Sequence, residues 1–228
     1  MIYSYSKIKT DQNFNEDFKT YSSLGLLQFL PAQLFWNILK ASIVDNWNLP
    51  NLTGKMIQID FWPKWFKIQG ITTVANSKYI EPDIFIRFEN FDCIVEVKKT
   101  DTFGQHCNQW ESQKQAYLNE YPEGKQFIYI ALGGNSKLNA PSHEKFGYVY
   151  KSTWQRLLCE INKALQERLS LNYSNEAINQ EIRILQSVVE AFASCYNEYV
   201  VELLDTIITD DKKIKLPRKI EMDELWKI

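Results

Sequence analysis

What this chain has little of narrows what it can be. Its 228 residues include only 2 His and 4 Cys, and Cys93, Cys107, Cys159 and Cys195 form no Cys-x-x-Cys pair. That argues against a zinc ribbon or a disulfide frame and fits reduced thiols in a cytoplasmic protein. His106-Cys107 has only His143 as a further imidazole, too few for a zinc site. Glycine is scarce, 8 in all, and Gly133-Gly134 lacks the following Gly-Lys-Ser/Thr of a phosphate loop. No apolar run reaches the roughly 18 residues of a membrane span. The stretch from Met1 to Lys7 has no apolar leader region, so the expectation is a chain without a cleaved signal. There is no excess of positive charge either: 26 Lys and Arg stand against 28 Asp and Glu, a net charge of −2. A nucleic-acid enzyme of this balance must gather its cations around one cleft. Repeats and low-complexity stretches are also absent.

What is present suits a packed domain: 45% of the residues are hydrophobic, with 7 Trp, 12 Tyr and 13 Phe. Residues 14–48 read as helical, with Pro31 splitting them into two helices. Strands are expected at 56–60 and 65–69, a helix at 107–121, a strand at 127–132 and an edge strand at 146–150. The resulting division is an α/β core over residues 1–150 and a helical extension over 151–228. In the extension, a helix over 152–169 precedes a longer one over 176–208. Ile178, Ile182, Leu185, Val189, Phe192, Tyr196, Tyr199 and Leu203 recur in steps of four and three along the second. This seam is expected either to pack on the core as a helical hairpin or to meet a second copy or another protein. Lys212, Lys213, Lys215, Arg218 and Lys219 form a basic tail, read as a solvated terminus or a phosphate-touching arm.

The chemistry concentrates between Pro82 and Lys98. Phe85, Ile86, Phe88, Ile94, Val95 and Val97 are strand formers, and Glu89-Asn90-Phe91-Asp92 supplies a polar break, so the segment reads as a β-hairpin. A turn at Asn90-Phe91 sets Asp83 opposite Lys98, with Glu96 diagonal to it on the same face. Exposed strands often carry such charges as solvated cross-strand pairs worth little. Here Cys93, Val95 and Val97 line one face and Ile94 joins Glu96 on the other. A strand buried on both sides carries charge at a cost, which argues for function. Two converging carboxylates call for a cation. Hard oxygen ligands suit Mg²⁺, which polarises a phosphate and acidifies water, and a lysine beside it stabilises developing negative charge.

Pro82-Asp83, twelve intervening residues and Glu96-Val97-Lys98 resemble the motif of the PD-(D/E)XK nuclease superfamily. Gln113-Lys114-Gln115-Ala116-Tyr117, on the next helix, is similar to the Gln-x-x-x-Tyr motif of its RecB-like branch. One helical turn separates Gln113 from Tyr117, so both are expected to lean over the site. The resemblance covers roughly residues 55–135. It implies a restriction-endonuclease-like core, a central mixed sheet flanked by helices. It also implies a Mg²⁺-dependent deoxyribonuclease, with Mn²⁺ able to substitute, in prokaryotic DNA defence or repair. On this pattern Asp83, Glu96 and the Val97 carbonyl bind the metal, Lys98 is catalytic, and Gln113 positions the lysine or the substrate. The superfamily often adds a glutamate from the helix ahead of the sheet. Glu16 and Asp17 are the candidates, though acids at a helix start are also ordinary dipole partners. Asp60 is a further acid on a strand. Lys55, Lys64, Lys67, Lys78, Arg87, Lys98, Lys99 and Lys114, interleaved with Trp62, Trp65, Phe66 and Trp110, are the expected DNA-facing residues. The alternative is a catalytically silent protein of the same fold that serves as a docking subunit. No membrane partner is expected.

Overall fold

A computed structural model describes residues 15–71, 78–135, 148–171 and 175–200. The chain opens with two helices, α1 (Glu16–Leu27) and α2 (Ala32–Ser42). Asn15 starts α1 by accepting the Phe18 N–H at 2.9 Å, and Pro31 separates the pair as expected. There follow β1 (Met56–Phe61), β2 (Ile84–Phe88), β3 (Phe91–Val97), α3 (Cys107–Glu120), β4 (Gln126–Leu132), β5 (Tyr150–Ser152), α4 (Trp154–Ser170) and α5 (Glu176–Tyr196). The five strands form one sheet in the order β1-β2-β3-β4-β5. The first two pairings are antiparallel and the last two parallel, so the sheet is mixed.

Strand β3 lies near the centre and is buried at every position, as a strand covered on both faces must be. Its odd-numbered residues Cys93, Val95 and Val97 share a core with α1, α2, α4 and α5. The opposite face, with Ile94, packs against α3 through Phe85, Trp110, Ala116, Tyr117 and Tyr129. Phe91, Cys93, Ile94, Val95 and Val97 are all fully buried. Each such side chain contributes about 1.5–3 kcal/mol, enough together to pin down a strand whose Asp92 and Glu96 would otherwise cost several kcal/mol apiece to bury.

Three expectations need correcting. The hairpin loop is only Glu89-Asn90, because Phe91 and Asp92 belong to β3, and Ile84 pairs with Val95. Continued one residue further, this register sets Asp83 across from Glu96 rather than from Lys98; the shift by an even number leaves the faces unchanged. Asp92 joins the strand because it has partners: Tyr117 Oη donates to it at 3.1 Å, Arg87 Nε at 3.3 Å, and Lys125 Nζ lies 3.6 Å away. Residues 65–69 form no strand; Trp65 makes a single bridge with Ile80.

Helices α4 and α5 form the expected helical hairpin, and their apolar faces enter the same core as the sheet. Leu185, Val188, Ala191 and Phe192 are the buried positions of α5, so the described part of its seam turns inward. The helix stops at Tyr196, where Asn197 adopts a left-handed φ of 53°, and Tyr199 beyond it is exposed. Leu203 and the basic tail lie outside the described residues. No helix among those described is long and apolar enough to cross a membrane.

Candidate active site

The C-terminal end of β3 delivers Glu96, Val97 and Lys98 to one place. Glu96 points toward α3 and is 1% exposed, yet both its carboxylate oxygens are satisfied. Lys98 Nζ donates to Oε1 at 2.5 Å and Gln109 Nε2 donates to the same oxygen at 2.6 Å. Gln113 Nε2 donates to Oε2 at 2.7 Å, and the Gln113 carbonyl oxygen accepts from Tyr129 Oη. The tyrosine therefore fixes which end of the Gln113 amide faces the carboxylate. Gln105 Nε2 donates to the Glu96 backbone carbonyl at 3.1 Å, and Gln105 Oε1 accepts from the Trp110 indole at 2.8 Å.

Asp83 reaches the same point from the start of β2. Its Oδ2 accepts the Val97 N–H at 2.7 Å. Burial, reinforced by the charge of Glu96, pushes the Asp83 carboxyl up to about 8. The third acid is Glu16, at the first turn of α1. Its Oε2 accepts the Lys99 N–H at 2.8 Å, and its Oε1 lies 3.9 Å from Lys98 Nζ. Burial also raises the Glu16 pKa, against the pull of Lys98.

Lys98 is a cation set among these three acids. Besides Glu96, its Nζ donates to the Val97 carbonyl at 2.8 Å. Burial alone would lower its pKa, but Glu96, with Asp83 and Glu16 behind it, raises it, so the side chain is an ammonium. Two glycines make room for its stem. A Cβ on Gly134 would fall 2.7 Å from Lys98 Cγ, and one on Gly104 would fall 2.8 Å from Lys98 Cδ. Behind the strand end, the Trp154 indole donates to the Lys98 carbonyl at 2.7 Å, and Asp101 accepts the Trp154 N–H at 2.7 Å. The α4 N-terminus thus braces the segment that carries the lysine.

Comparison of the chain with protein-family models, curated proteins and solved structures returns no match.

Asp83, Glu96, Val97, Lys98 and Gln113 come together. Gln113 contacts Glu96 rather than the lysine. Tyr117 does not join them: one turn further along α3 it meets Asp92 instead, toward the other end of β3. Of the two N-terminal acids, Glu16 belongs to the site and Asp17 is exposed. Asp60 accepts from Gln58 at 2.5 Å on the β1 edge. Trp65 and Trp110 are core residues, and Arg87 serves Asp92. Lys64 lies 3.8 Å from Glu81 and Lys67 lies 3.5 Å from Glu120. Lys98 and Lys99 are the basic residues at the β3 end. Gln105 and Gln109 escaped the sequence reading. Gln109 was within reach, since it precedes Gln113 by one helical turn; Gln105 carries no such signal.

A divalent ion fits the donor set. Asp83 and Glu96 supply carboxylate oxygens, and the Val97 carbonyl already accepts a cation in the form of the Lys98 ammonium. Two carboxylates and a carbonyl, completed by water, are a suitable hard-oxygen set for Mg²⁺. Among the described residues, no group of three His, Cys, Asp or Glu side chains is placed to hold a metal ion, Asp83, Glu96 and Glu16 included.

Proposed function

We propose that the chain is a Mg²⁺-dependent nuclease that hydrolyses DNA phosphodiester bonds, built on a restriction-endonuclease-like core of the PD-(D/E)XK type. One observation carries the reading: Asp83 accepts the Val97 N–H, and Lys98 donates to both the Val97 carbonyl and the Glu96 carboxylate, so the three charged side chains of the motif meet around one peptide. Asp83, Glu96 and the Val97 carbonyl would hold the ion, which when bound supplies a polarised phosphate and a more acidic water. The chain's own side chains do the rest. Lys98 Nζ, freed from its carboxylate, stabilises charge on the non-bridging phosphate oxygens. Gln113 and Gln109 keep Glu96 in one orientation, and the Asp83 bond to the Val97 N–H fixes the peptide plane between the two acids. DNA defence or repair is the setting that the resemblance to the PD-(D/E)XK superfamily implies.

The test is cleavage of linear and circular DNA with Mg²⁺ or Mn²⁺. Asp83→Ala and Lys98→Ala should each lower the rate by at least about a hundredfold, the scale of losing one electrostatic contact to a transition state. Cleavage at wild-type rate by either variant removes the proposal. A second reading, a silent docking subunit, has its own support: Lys98 occupies oxygens of Glu96 and Val97 that an ion requires. Absence of cleavage under every divalent ion, with a dimeric mass in solution, would favour it.

A further inference from the structure

Two aromatic residues are tied to the chain segments that carry this site. Trp62 follows the last residue of β1 and adopts φ 52°, a left-handed conformation that a bulky side chain ahead of a proline enters only under constraint. Its N–H donates to the Asp83 carbonyl at 2.9 Å, so the strained residue is tied to the aspartate of the site. Such outliers are costly and gather at functional sites. The indole is half-buried and touches the Phe61 ring, with centroids 5.8 Å apart. Phe103, in the connection after β3, is 78% exposed. It sits beside Gly104, the residue against which the Lys98 side chain runs. Trp62 is thus bonded through its backbone to Asp83, and Phe103 immediately precedes the glycine that packs on Lys98.

We propose that Trp62 and Phe103 are stacking residues for unpaired nucleobases next to the scissile phosphate, so that the preferred substrate is single-stranded nucleic acid. This rests on the phosphodiesterase reading above and names its substrate class. Two arguments select the occupant. An aromatic ring stacks on a base face, and in a duplex both faces are already covered by neighbouring pairs. With a net charge of −2, the chain has little of the long-range attraction by which duplex backbones are usually held. Base stacking beside a small cationic site supplies affinity without a basic surface.

The experiment measures binding apart from cleavage. Fluorescence anisotropy with a labelled 12-nucleotide oligothymidylate and a blunt 12-base-pair duplex, both in EDTA, compares the wild-type chain with Phe103→Ala, Trp62→Gly and Trp62→Phe. Wild type should bind the single strand more tightly than the duplex. Phe103→Ala and Trp62→Gly should each weaken single-strand binding by roughly five- to hundredfold, the worth of one stacked base, while Trp62→Phe keeps most of the affinity. Glycine relieves the positive φ, so Trp62→Gly should hold its melting temperature within about 4 °C of wild type. A purely structural tryptophan would instead lose stability and leave affinity unchanged. Equal or tighter duplex binding, or full single-strand affinity in both Phe103→Ala and Trp62→Gly, overturns the inference. Ring-dependent single-strand binding without cleavage under any divalent ion would sustain the stacking assignment and defeat the nuclease proposal. Cleavage indifferent to both rings would do the reverse.

Discussion

Replacing Gln113 by alanine tests the site through stability alone. Gln113 is 2% exposed, and its amide bridges Glu96 Oε2 at 2.7 Å to the hydroxyl of Tyr129, which is also buried. Truncation strands one carboxylate oxygen and one phenol at once. Each unsatisfied buried group costs about 1–3 kcal/mol, and the lost packing of the side-chain methylenes adds about 1 kcal/mol. The expected loss is roughly 3–7 kcal/mol, or about 6–28 °C in melting temperature at about 2–4 °C per kcal/mol for a domain of this size. Tyr129→Phe removes one partner and should cost about 1–2 kcal/mol. Because both variants act on one chain of hydrogen bonds, the double variant should fall short of the sum by at least about 0.5 kcal/mol. Urea unfolding monitored by tryptophan fluorescence supplies all three values. A Gln113→Ala loss below about 1 kcal/mol, or strict additivity with Tyr129→Phe, would refute the bridge and its role in orienting Glu96.

Two further outcomes follow from buried ionisable groups. Cys93 is fully buried between the sheet and the helices, and burial, with the Asp92 charge adding to it, raises its pKa far above the ordinary value of 9.0. Its stabilising effect is complete below that ordinary value and declines as the unfolded thiol ionises above it. Wild type should therefore lose up to about 1.4 kcal/mol more per pH unit than Cys93→Val once the pH passes about 9; parallel curves for the two between pH 8.5 and 10.5 would contradict this. Lys19 is 1% exposed, its ammonium 2.6 Å from Glu198 and 4.7 Å from the Trp154 ring centroid. Since Glu198 is partly exposed while Lys19 is not, Lys19→Met should cost under about 1.5 kcal/mol and Glu198→Ala clearly more. Thermal melts of the two variants would settle the order, and the reverse order would count against a desolvated lysine in this position.

Much of this arrangement was legible because strands and helices impose fixed periods. The double-sided apolar pattern of residues 91–97 identified a covered strand, and parity alone put Asp83 and Glu96 on one face even though the turn was misplaced by one residue. The misplacement has a physical source: Asp92 looks like a loop residue until Tyr117, Arg87 and Lys125 are brought to it, and only Arg87 is close in sequence. The same long-range pairing drew Tyr117 away from the site. Glu16 illustrates the converse. An acid in a first helical turn has an ordinary explanation, and only tertiary contact with the Lys99 N–H, 83 positions away, distinguishes it from Asp17. The two glycines that clear a path for Lys98 were likewise visible only as breaks after a strand or in a connection.

The central claim is that Asp83, Glu96 and the Val97 carbonyl share one divalent ion. Anomalous diffraction from a crystal soaked in Mn²⁺ addresses it directly. The account predicts a single strong peak bound by an oxygen of Asp83, an oxygen of Glu96 and the Val97 carbonyl, at about 2.0–2.3 Å, with Lys98 Nζ displaced from the Val97 oxygen it now holds. A saturating soak that leaves Lys98 on Glu96 and Val97, with no peak between the two acids, would contradict it.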